Sequence, residues 1–481
     1  MSDTTHVTPE KDRVSLREKI GLGFGRVVTD GTHGTLHVLL NPVYNMTLGV
    51  NPALISTIIF IQRIWDAMLD PVCGQFSDNF RSRWGRRIPL LLVSALPVAV
   101  LFAALWWFPM EAGPGYLFWH LLIASLGFYA AYAVYTMPLN GLIVEATDDY
   151  HERTKLAGVA LAFGFAAQIG SQWIFPLTQL WVPDGATQAE RVAGTITGAR
   201  WVAGGCALLF FAAALVPVFL CRERLYAKVT AKQPRHSLRD GLRSARSNRS
   251  FMALLCARCV FSFGYNVVGV MGGYMHAYYV CGGDIKTSAP VSAAIGSSFH
   301  IAAIVMSLFV YPRIERRIGK RRTLQFACAI LIVDCISKYW LYQPGHLWLP
   351  IFVIIMNGVA SSGVSLMCIA MLGDIADQDE YQTGLRREGL FFSLLAWFEK
   401  VGNSLGSFFT GFILVWIGFN AKLGPQSEHT LHLMKWSYIL FPAAGALFTL
   451  YFIGRYLLTQ EKVYEIKDAL ARRRAAAAAN A

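Results

Sequence analysis

Three ionisable residues stand inside one apolar run of this chain, STIIFIQRIWDAMLDPVCGQFSD, which carries Arg63, Asp66 and Asp70. Spacings of three and four residues place them on one helical face, and the cost of charge in hydrocarbon requires that this face meet a cavity or a partner. Two carboxylates one turn apart repel when both are ionised, so the pair favours taking up a proton or a cation such as Na⁺. That is the chemistry of an ion-coupling site. A structural alternative stands beside it, in which Arg63 neutralises Asp66, the cluster only joins helices, and Asp70 caps the helix ahead of Pro71. Lys400, in LAWFEKVGNSLGSFF, bears on the choice because only Glu399 lies beside it. Adjacent residues point about 100° apart on a helix, so Lys400 needs a carboxylate from another helix, and Asp66 or Asp70 would supply it.

A second polar stripe runs through TDGTHGTLHVLLNP, where Asp30, His33, Gly34, His37 and Asn41 share a face polar enough to line water. This reads as a solute-binding face, with Asp30 accepting hydrogen bonds from hydroxyl groups. The spacing of His33 and His37 suits a metal, but no third ligand is near, so packing or solute contact is expected and no resident metal. Asp334 and Lys338, four apart with the acid first, read as a self-neutralising structural pair. Arg258 has no partner in its own helix and either snorkels or meets Glu399. Thr136, Asn140, Gln168, Gln172, Trp397 and Asn403 complete the candidate solute contacts. Each such residue, like Tyr265, Asn266, His300 and Asn357, is individually more often an interhelical hydrogen bond.

The elements that must hold these residues follow from composition. Of 481 residues, 54% are apolar and only 15% charged, and the mean hydropathy is +0.42; a soluble enzyme is excluded at this length. Allowing roughly forty residues per spanning helix and its loop gives about twelve spans. The apolar runs fall near 24–48, 52–76, 88–108, 116–145, 156–182, 199–221, 250–280, 290–312, 323–342, 347–373, 389–417 and 434–458. This predicts an all-α membrane protein of two six-helix halves, 21–221 and 250–458. A segment 1–20, a central loop 222–249 and a tail 459–481 flank and join the halves. The start is polar and unlike a signal peptide. The nine cysteines lie mostly within apolar runs, so no disulfide framework is expected, and the Cys-x-x-Cys at Cys256 and Cys259 reads as packing.

Alternate loops and the two ends hold 33 of the 43 Lys and Arg residues, which places both termini in the cytoplasm of a cell (inner or plasma) membrane protein. The net charge of +13 is explained by that bias, and no nucleic-acid partner is expected. RSRWGRRIP after the second span and RIERRIGKRRT after the eighth occupy matching places, as in a transporter built from repeats.

Three long motifs carry a family resemblance: RIWDAMLDPVCGQFSDNFRSRWGRRIP, EATDDYHERTKL and GDIADQDEYQTGLRREGLFFSLLAWFEKVGNSLG. In this order they resemble the glycoside–pentoside–hexuronide:cation symporters, the melibiose-permease group of the major facilitator superfamily, over residues 20 to 458. The resemblance implies that Asp66 and Asp70 form the cation site beside Lys400 and that Asp30 helps hold the sugar. It further implies that Gly74, Asp78, Arg81, Arg83, Arg86 and Arg87, with Glu145, Arg153, Arg386, Arg387 and Glu388, form a cytoplasmic charge network that stabilises one conformation. The chain departs from the pattern at Thr136 and Asn140, where melibiose-type members have a sugar-binding Asp and a Trp. It departs again at Ala133 and Ala160, which replace a Na⁺-coordinating Thr and an Arg. Losing a hard oxygen ligand tilts the expected ion from Na⁺ toward H⁺. The expectation is therefore a monomeric symporter of a sugar or glycoside, without resident cofactor. Its alternative is a facilitator, or a carrier of a lysolipid or organic anion.

Overall fold

A computed structural model describes residues 13–147, 150–221, 246, 248–384, 388–421 and 423–479. Helices account for the architecture, and no strand occurs among the described residues. The first unit, Met1–Pro234, contains α1 (Leu16–Leu40), α2 (Pro52–Asn79), α3 (Ile88–Ala104), α4 (Pro114–Glu145), α5 (Tyr150–Gln172) and α6 (Gln188–Leu220). The second, Arg235–Ala481, contains α7 (Arg249–Tyr274), α8 (Ile285–Val305), α9 (Lys320–Leu341), α10 (Pro350–Thr383), α11 (Glu388–Trp416), α12 (Glu428–Gly454) and a terminal α13 (Gln460–Ala479). Widened helical turns extend α1 through Asn41–Thr47, α7 through Met275–Val280 and α8 through Met306–Val310.

The two units share one internal plan. In the first, the principal packed pairs are α1 with α5 and α6, α3 with α4 and α6, and α2 with α4. In the second they are α7 with α11 and α12, α9 with α10 and α12, and α8 with α10. Every pair recurs six helices later, which is what a repeated six-helix unit requires.

Local sequence sets the ends. Ser15 and Glu18 form a reciprocal capping box, and Thr187 and Glu190 form another. These caps start α1 at Leu16 and α6 at Gln188, ahead of the apolar runs near 24 and 199, because a cap is polar and escapes a hydropathy reading. Among the described residues, nine helices are long and apolar enough to cross a membrane. α3 is short, and α1 and α11 are interrupted by polar residues, the same ones that carry the candidate site. Outward-facing Val93, Trp201, Leu208, Phe219 and Leu440 are exposed, as a surface solvated by lipid rather than water demands.

Candidate functional site

In the first unit the site is built on the seam between α1 and α5 and on the facing part of α2. Two glycines allow the close approach. A Cβ at Gly34 would come 2.5 Å from Gln168 Oε1 and 2.9 Å from Ser171 Oγ, and one at Gly164 would collide with the Asp30 carboxylate. Ser171 donates to the Gly31 carbonyl at 3.2 Å and lies 3.3 Å from the Thr35 hydroxyl, which fixes the register. Asp30 pairs with Arg26 one turn earlier, Nε to Oδ2 3.4 Å. Arg26 was not singled out from sequence, although its spacing of four from Asp30 was available. Tyr132 of α4 donates to the Thr29 carbonyl at 3.2 Å and lies within electrostatic reach of Asp30 and Asp66. Thr136 is buried, and Asn140, Gln168 and Gln172 are half-buried.

α2 runs unbroken through Pro71 to Asn79, so Asp70 lies inside the helix and caps nothing. Pro71 offers no amide hydrogen to the Ala67 carbonyl, one residue from Asp66. Asp66 is buried and Asp70 half-buried. The Nη2 of Arg63 lies 3.0 Å from His33 Nε2 and 3.4 Å from His37 Nε2. A guanidinium only donates, so both imidazoles present an unprotonated Nε2 to it. Their rings meet edge to face with centroids 5.3 Å apart. Among the described residues no three His, Cys, Asp or Glu side chains are grouped to hold a metal.

In the second unit, α11 carries Trp397, Glu399, Lys400 and Asn403 along a polar stretch continued by Ser404 and Ser407. Arg258 of α7 meets Glu399, which answers the alternative left open by sequence, and its Nη1 donates to Ser365 at 3.0 Å. Trp397 is exposed, and Lys400 and Asn403 are half-buried. The Asp334–Lys338 pair is wholly buried at 3.2 Å, with Asn357 donating to Asp334 at 3.4 Å and the Tyr438 ring 4.4 Å from the ammonium. The two side chains thus pair with each other, as their spacing of four leads one to expect.

Of the charge network implied by resemblance, Gly74 lies in α2 near its end and Arg83 sits over the Trp84 ring at 5.2 Å. Arg81 is exposed, Arg86 is half-buried, and Arg87 is buried with its guanidinium packed over Gly141, where a Cβ would block it. Gly141 is one turn before Glu145. The side chains of Asp78, Glu145, Arg153 and Glu388, and residues 386 and 387, lie outside the described residues, as do most of the central loop 222–249 and the first twelve residues.

Two repeated six-helix units with charged side chains within their helices define a multi-pass membrane transporter of the major facilitator fold. The chain matches the family described as MFS/sugar transport protein over residues 21–460. It belongs to that family, the type that its three motifs resemble, and it is a transporter rather than an enzyme. It is 25% identical to an uncharacterized symporter of Synechocystis sp., covering 78% of this chain and 81% of that one. It is 23% identical to the isoprimeverose transporter of Lactiplantibacillus pentosus, covering 84% and 80%. Among solved structures it resembles the nucleoside transporter NupG, with a TM-score of 0.64, 14% identity, and coverage of 92% of this chain and 100% of that one.

Proposed function

We propose that the chain is a secondary active transporter that carries a sugar or glycoside together with a cation, H⁺ rather than Na⁺, by alternating access. It works as a monomer, with both termini cytoplasmic. The observation that carries the reading is the arrangement in α2: two carboxylates one turn apart, with the arginine of their own helix turned to His33 and His37. Protonation of Asp70 or Asp66 discharges the carboxylate pair of α2 and lets the solute site around Asp30, Gln168 and Gln172 order. Only the doubly loaded or the empty carrier then reorients, because an unpaired charge resists burial during the swing. Buried Ala133, in place of a hard oxygen ligand, supports H⁺. The names of relatives as symporter and isoprimeverose transporter agree with coupled movement of a carbohydrate.

Thr136 and Asn140, standing where melibiose-type members have acidic and aromatic sugar contacts, favour a second reading in which a lysolipid or organic anion is carried instead. Uptake of labelled glycosides, pentosides and hexuronates into proteoliposomes, under an imposed H⁺ or Na⁺ gradient, separates the two. Accumulation of one panel member driven by H⁺ is the expected result. No accumulation of any member by folded protein would pass the assignment to the second reading.

A further inference from the structure

The second unit also holds a cavity at its helix ends. Where α7 begins and α12 ends, a cavity of about 550 Å³ is lined by Arg246, Arg249 and Arg455 together with Met252, Phe452 and Leu457. Its chemistry is graded along its depth. Arg249 is the first residue of α7, and Met252, Ala253 and Cys256 follow at spacings of three, four and seven, on the same helical face. That stripe runs about 10 Å into the helix from its charged end. On α12, Phe452 precedes Arg455 by one turn and repeats the order of apolar wall and basic mouth.

Among the described residues none of the three arginines forms an ion pair with a carboxylate. Arg455 donates to the Tyr451 hydroxyl and lies 4.5 Å over its ring. A fourth cation borders them, since Arg321 donates to the Gly454 carbonyl at 2.9 Å. Like charges gathered without counter-ions attract an anion, and a guanidinium matches phosphate oxygens in geometry. A soluble phosphate would fill the mouth and leave the apolar wall wet. A phosphate that carries an acyl chain satisfies both.

We propose that this slot binds an anionic glycerophospholipid, with its phosphodiester held by Arg246, Arg249 and Arg455 and an acyl chain laid along Met252, Cys256 and Phe452. The lipid would seal the α7–α12 seam at the end of the unit that carries its basic residues. The site lies wholly within the second unit and does not depend on which solute is carried.

Native mass spectrometry of the full-length protein in neutral detergent tests this, with phosphatidylglycerol, phosphatidylcholine or sn-glycerol 3-phosphate added in turn. Phosphatidylglycerol should be retained at least about tenfold more tightly than phosphatidylcholine. The Arg246→Gln/Arg249→Gln/Arg455→Gln protein should lose on the order of a hundredfold in that binding, from about fivefold per arginine. Its thermal unfolding in lipid-free detergent reports whether it folds; if it does not, Arg455→Gln alone should lose about fivefold. Equal retention of the two lipids, or a preference that survives these substitutions, overturns the proposal. So does displacement of phosphatidylglycerol by sn-glycerol 3-phosphate at equal concentration, which would mark a site for soluble anions.

Discussion

Asp334 and Lys338 are enclosed together in the second unit, where their charges are met by each other, by the Asn357 amide and by the Tyr438 ring. Removing one leaves the other as an uncompensated charge. Asp334→Asn or Lys338→Met is expected to cost about 3–5 kcal/mol, whereas Asp334→Leu with Lys338→Met should be close to neutral. Denaturant unfolding in detergent checks this, and single variants as stable as the parent would contradict it. Glu152 gives a test in acid. Burial pushes its carboxyl up, but hydrogen bonds from Lys19 and the Val14 amide, with the charges of Lys19 and Lys155, outweigh burial and hold it below the usual carboxylate range. A carboxyl depressed in the folded state stabilises above its unfolded value of about 4.3 and loses that contribution as pH falls through the folded value. The contact joining the start of α1 to α5 should therefore weaken in acid and hold at neutral pH. Glu152→Gln should flatten the acid limb of proteolytic susceptibility at this junction; an unchanged limb would show that the carboxyl does not titrate there. At this scale Asp334 and Lys338 were legible because both partners lie on one helix, four residues apart. The contacts of Arg63 with His33 and His37 were not, and that of Arg258 with Glu399 was only one of two alternatives, because each joins two helices whose adjacency no local spacing encodes.

At the scale of elements, small residues decide which helices can touch. A Cβ at Gly402 would collide with the Cys259 carbonyl, and one at Gly406 would come 2.6 Å from the Phe263 carbonyl, so α7 and α11 pack backbone to backbone at a small-xxx-small seam. Ser407 donates to Asn266 across it at 2.5 Å. Gly402→Val or Gly406→Val should force the pair apart and sharply lower the yield of monodisperse protein. Gly205→Ala, which meets nothing within 4 Å, should be tolerated and gain up to about 1 kcal/mol from helix propensity. Size-exclusion profiles with thermal unfolding check both, and equal behaviour of the seam and lipid-facing variants would contradict the packing. The number and order of spans were readable from apolar runs alone. Their ends at Leu16 and Gln188 were not, because capping boxes are polar, and the seam glycines do not announce which neighbour they face.

For the whole molecule, the proposed topology puts both termini on the cytoplasmic side, the orientation that the charge bias of the loops favours. In right-side-out vesicles, a single cysteine introduced near either end of an otherwise cysteine-free protein should resist an impermeant maleimide until the membrane is opened. Labelling of either end in sealed vesicles would invert the topology. The repeat of helix pairs between the two units gives alternating access a structural basis, since each unit is complete in its own packing. What drives that exchange is the claim on which everything else rests: the carboxylates of α2 couple the solute to an ion gradient.

The most direct measurement compares the parent protein with Asp66→Asn and Asp70→Asn in proteoliposomes. Both gradient-driven accumulation and counterflow without a gradient would be followed for the solute that the panel identifies. Each variant is expected to lose accumulation to the level of passive equilibration, by about tenfold or more, while at least one retains counterflow, since a neutralised carboxylate still lets the loaded carrier exchange. Full accumulation in both variants would contradict coupling through this pair.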